Sequence, residues 1–163
     1  PPAGEGKRKT PGPPGVFFHR PEEHTRPMNA PLPHVLEGHA PVEIRWRTDL
    51  DVLVVEYRGR RGSPEHMASC WHAVRDLAAS LRIVKVLAID LMDDEPFVGE
   101  QRETFMRALG PQTFVGRRWA FVARSVDRVG AYEATQLDAQ AAGLEVRIFG
   151  SRSEAELWVR FAE

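Results

Sequence analysis

Between Val84 and Leu91 the chain reads VKVLAIDL, apolar at every position except Lys85 and Asp90. A strand apolar on both faces belongs in the interior of a parallel sheet, with helices covering each side. Upstream, Val42, Ile44 and Trp46 alternate with Glu43, Arg45 and Arg47, the period-two pattern of a half-buried strand. Turn residues at 48–51 lead into VLVVEY at 52–57, so the pair predicts a hairpin. Ser63-Pro64 then opens a helix, because serine caps free backbone N–H groups and proline at the first helical position loses no bond. Met67, Cys70, Trp71, Val74, Leu77, Ala78 and Leu81 follow at spacings of three and four, forming one apolar stripe.

The pattern continues after the apolar strand. Pro96 opens a helix with Val98, Phe105, Met106 and Leu109 on its apolar face, and Gly110-Pro111 stops it. RWAFVA at 118–123 is a strand. Ser125 to Asp127 cap a helix that runs to Ala142, with Gly143 as its C-terminal glycine. EVRIF at 145–149 is the last strand. The final helix carries two overlapping capping boxes, Ser151-x-x-Glu154 and Ser153-x-x-Glu156, and turns Ala155, Trp158, Val159 and Ala162 toward the sheet. The order β-β-α-β-α-β-α-β-α predicts an α/β fold: a mixed, mostly parallel five-stranded sheet with an antiparallel edge hairpin.

Composition changes the picture at one end. Ten of the thirteen prolines lie at or before Pro41, in a segment with no period of 2 or 3.6. Such density favours extended, solvated chain, so residues 1–41 read as a tail and residues 42–163 as the α/β domain. Within the tail, Met28-Asn-Ala-Pro31 has the form of a natural start. The net charge of −1 lacks the basic excess of a nucleic-acid binder. No apolar run approaches the roughly 18 residues of a membrane span. A lone cysteine, Cys70, forms no internal disulfide and fits a reducing compartment. These features together lead to the expectation of a cytoplasmic protein.

Catalytic signatures are missing. There is no phosphate-cradling glycine loop, no nucleophile elbow and no H-E-x-x-H pattern. Cys70 lies inside an apolar stripe and reads as a small core residue. Asp90, at a strand end, resembles a phosphoacceptor, but the lysine such receivers need after the last strand is absent. Arg58, Arg60 and Arg61, like Arg117 and Arg118, read as solvated loop charge. Sites in open α/β sheets gather at the carboxyl ends of strands. Here that place holds Asp93, Asp94 and Glu95, read first as acids complementing a helix dipole, followed by Phe97 and Val98. An apolar pair rimmed by charge suits a protein interface, so these five residues are the candidate partner-binding surface.

The element order and three stretches resemble the STAS superfamily, and its branch similar to the sporulation anti-sigma-factor antagonist. The stretches are VKVLAIDL at 84–91, RWAFVA at 118–123 and GLEVRIFGSRSEAELW at 143–158. The resemblance implies a non-catalytic module that binds protein partners, sometimes switched by phosphorylation of a serine at the helix after the third strand. That region here reads DLMDDEPFVGEQ and has no Ser or Thr before Thr104, so the switch residue does not carry over. A related branch resembles lipid-carrying CRAL-TRIO domains, which gives the alternative: a carrier of a small apolar ligand, with Trp71, Phe105, Phe114 and Trp119 lining a pocket. A small enzyme is the third reading. No cofactor and no metal are expected. A cavity with convergent polar groups favours the carrier; a filled core with an exposed apolar patch near 96–98 favours the interaction module.

Overall fold

The hairpin, the two-sided strand and the amphipathic helices assemble into three layers in a computed structural model that describes residues 42–162. The proline-rich tail at 1–41 lies outside the described residues. Five strands, β1 (Glu43–Asp49), β2 (Val52–Gly59), β3 (Lys85–Met92), β4 (Arg118–Val122) and β5 (Val146–Phe149), form one sheet in sequential order. β1 runs antiparallel to β2, and every other neighbouring pair is parallel. The apolar run of β3 takes the central place, between β2 and β4. Its burial on both faces follows from that position.

Side chains along each strand alternate between two apolar layers. Leu53, Val55, Tyr57, Val86, Ala88, Trp119 and Phe121 face one layer, shared with α1 (Pro64–Ser80), α2 (Gly99–Leu109) and α3 (Val129–Ala141). Val52, Val54, Leu87, Ile89, Ala120 and Val122 face the other, where α4 (Arg152–Phe161) supplies Ala155 and Val159. α1 starts as the sequence requires: the Ser63 hydroxyl accepts the His66 N–H at 3.2 Å, and Pro64 follows. Its stripe is buried at Met67, Cys70, Trp71, Val74 and Ala78.

Several local expectations are corrected. Val84 is exposed and precedes β3. α2 begins at Gly99, three residues after Pro96, and Val98 is its extended N-cap residue. The physical reason is the backbone at Gly99, whose φ of 55° a right-handed helix from Pro96 cannot run through; Arg128 and Arg61 meanwhile donate to Asp94 O and Glu95 O, both at 3.0 Å. Val98 is therefore exposed, and Leu109, Phe105 and Met106 seat the helix. Ser125 makes no side-chain cap; a 3-10 turn at Val126–Arg128 precedes α3. Neither capping box of α4 forms. Ser151 is the N-cap residue but accepts no side-chain bond, Ser153 lies inside the helix, and Glu156 is taken by Arg152 at 2.7 Å.

Candidate functional site

On the three-helix face the helices leave a cavity of about 60 Å³, which runs from the carboxyl ends of β2 and β3 to the amino ends of β4 and β5. Its floor is the sheet, at Tyr57, Trp119 and Phe121; its walls include Trp71 of α1, Phe105 of α2 and Phe114 of the turn after α2. The aromatic residues singled out in the sequence, Trp71, Phe105, Phe114 and Trp119, thus all meet at one cavity. Trp71 is the hub. Its ring lies 5.4 Å from Tyr57 and from Trp119, 5.7 Å from Phe121 and 6.0 Å from Phe114, centroid to centroid.

α2 and α3 flank the mouth in different ways. α2 leans on α1, while α3 leans on β5. Arg102 of α2 bridges them, donating to Thr135 Oγ1 at 3.2 Å and to Asp138 of α3. The helices are linked there by one long side chain.

A buried polar cluster closes one side. Asp90 is 1% exposed and Arg61 6%. Arg61 Nη2 donates to Asp90 Oδ2 at 2.7 Å, and Tyr132 Oη donates to the same oxygen at 2.7 Å. Asp90 Oδ1 accepts the Met92 N–H at 2.9 Å. The reading of Arg61 as solvated loop charge is therefore overturned: Asp90, on the central strand, draws it inside. Burial disfavours the Arg61 charge, but Tyr132, Asp90 and Asp94 outweigh it and raise its pKa. Burial, and next the charge of Asp90, push the Tyr132 phenol above its ordinary value. Burial also pushes the Cys70 thiol up to about 11, which removes it as a nucleophile at neutral pH.

Two cavity-lining groups stand apart. Tyr57 Oη and Trp119 Nε1 are buried and have no hydrogen-bond partner among the described residues. Both residues are 1% exposed. A buried polar group without a partner costs about 1–3 kcal/mol. Burial raises the Tyr57 phenol well above its ordinary value, so it remains a donor. The sequence signal for this pair was slight: a tyrosine and a tryptophan at inward positions of strands read simply as core.

The acidic segment is bound into the fold. Asp93 pairs with Arg124 at 3.0 Å and Glu95 with Arg128 at 2.6 Å. Asp94 accepts the Arg61 backbone N–H through both oxygens, at 3.0 and 3.2 Å. Phe97 turns inward to line the cavity and meets Phe105 at 5.6 Å, whereas Val98 is 64% exposed. Helix-dipole complementation by the three acids is thus replaced by pairing with arginines. Among the described residues no group of three His, Cys, Asp or Glu is placed to hold a metal ion, and no helix is long and apolar enough to cross a membrane. No family model matches the chain, and neither a curated protein nor a solved structure matches it.

Proposed function

We propose that this domain is a non-catalytic binding module, and that it takes a small, largely apolar ligand between the sheet and the α2–α3 mouth. The observation that carries the reading is the presence of two buried, unpartnered donors, Tyr57 Oη and Trp119 Nε1, on a largely apolar cavity. Apolar walls with a few convergent polar groups are the usual make-up of small-molecule sites. The cavity reaches the carboxyl ends of β2 and β3, at Tyr57, Asp90 and Met92, where sites in open α/β sheets gather. Arg61, Asp90 and Tyr132 satisfy one another, which suits a fixed wall better than an acid–base centre.

The reading is tested by thermal melting of the full chain against a panel of small neutral aromatics, with native mass spectrometry of protein purified under mild conditions. A ligand present at 100 times its Kd raises stability by about 2.7 kcal/mol, so melting should climb with concentration. A panel without any concentration-dependent shift, together with no co-purifying mass, would sink the proposal.

A second reading keeps the surface Asp93, Asp94, Glu95, Phe97 and Val98 as a protein-binding face. The exposure of Val98 favours it. Val98→Asp is the suitable probe, because Asp94 and Phe97 also serve the fold. A native partner retained by Val98→Asp with unchanged affinity argues against that face.

A further inference from the structure

Resting on the cavity reading, we infer that the ligand is uncharged, planar and bears a hydrogen-bond acceptor that meets Trp119 Nε1. Trp119 Nε1 is a donor only, so whatever satisfies it must accept. Tyr57 Oη lies on another part of the floor, because Tyr57 is in register with Asp90 and Trp119 with Val86. Every ionised side chain lining the cavity already has its counter-charge: Arg61 has Asp90, and Arg102 has Asp138. A charged ligand would enter without a partner, at the large cost of a desolvated, unpaired ion. Flat aromatic walls at Trp71, Phe114 and Phe121 favour a planar body that stacks or meets them edge-on.

Size adds a condition. The cavity measures about 60 Å³. A cavity that admits benzene measures about 150 Å³. An aromatic ligand must therefore widen it, and the lightly seated side is the α2–α3 mouth, where each helix buries one residue fully, Leu109 in α2 and Ala139 in α3. The Arg102 bonds to Thr135 and Asp138 are the link between α2 and α3 that resists this widening. Admission is then faster in Arg102→Ala than in the parent chain.

The test is a ¹H–¹⁵N titration of the full chain that follows the indole N–H signals, using acetophenone, ethylbenzene and benzoate. These probes share one ring and differ in a neutral acceptor, no acceptor and a charge. Acetophenone is expected to bind at least tenfold tighter than either of the others, the size of one satisfied buried donor. It should move the Trp119 indole signal selectively. Trp119→Phe, which keeps an aromatic ring and removes the donor, should bring acetophenone closer to ethylbenzene. Equal binding of acetophenone and ethylbenzene would overturn the ligand class while leaving the cavity reading intact. Tighter binding of benzoate would also overturn it, and would point to Arg102 as an anion anchor. Failure of all three probes to bind, in both the parent chain and Arg102→Ala, would overturn the cavity reading itself.

Discussion

Arg61 and Asp90 stand 29 residues apart in sequence and 2.7 Å apart in space, and their pairing sets the cost of touching either. Removing one member of a buried ion pair leaves the other charge uncompensated, at about 3–5 kcal/mol. Arg61→Met should therefore destabilise the chain by that amount in urea denaturation, and an unchanged midpoint would show that the pair is solvated. Trp71 carries a comparable load through packing. It is 8% exposed and touches four aromatic rings, so Trp71→Ala should cost about 3–5 kcal/mol. Cys70 supplies a pH dependence with a definite sign. Its pKa is raised by burial from 9.0 to about 11, so between these values the folded state holds a proton that the unfolded state releases. Its contribution is complete below pH 9 and shrinks as pH rises from there toward 11. The melting temperature should fall over that window, and Cys70→Ala should flatten the fall; an identical slope in the variant would assign the loss to other groups.

Helix starts with similar sequences differ at the level of the element. Ser63 and Ser151 are both N-cap residues, yet only Ser63 makes a side-chain cap bond. Ser63→Ala should cost about 1 kcal/mol, while Ser151→Ala should cost a few tenths at most, measured side by side by denaturant melting. Loss of equal stability in the two variants would mean that Ser151 caps in solution. α4 instead depends on its apolar stripe, with Ala155 and Val159 fully buried. The stripe, the hairpin and the central strand were all legible, because periodicity reports a face that must be hidden whatever lies opposite. The start of α2 was not. Pro96 carries a valid start signal, but the chain turns through Gly99 at a φ of 55° before the helix runs, and the carbonyls of Asp94 and Glu95 are held by arginines from elsewhere in the chain, partners that no local rule sees.

The molecule as a whole must manage two sheet edges. β5 is one of them, and its outward groups are covered from α3. Gln136 Oε1 accepts the Ile148 N–H at 2.7 Å, and Gln140 Nε2 donates to Val146 O at 3.5 Å. Covering an edge in this way blocks strand-to-strand association between copies. Gln136→Ala with Gln140→Ala should promote concentration-dependent self-association, seen by analytical ultracentrifugation; a monodisperse double variant would show that the edge is protected by something else.

The sequence by itself determined the order of strands and helices and the mixed sheet with its antiparallel edge. Those follow from periodicity, and periodicity is a property of neighbours along the chain. Tertiary structure alone decided that Arg61 goes inside to meet Asp90, that the acids at 93–95 are held by Arg124, Arg61 and Arg128, and that Tyr57 and Trp119 keep unpartnered donors in a cavity. Each depends on groups brought together from distant segments. The free energy of a buried charge or donor is fixed by what stands within about 3 Å of it, and sequence distance carries no information about that.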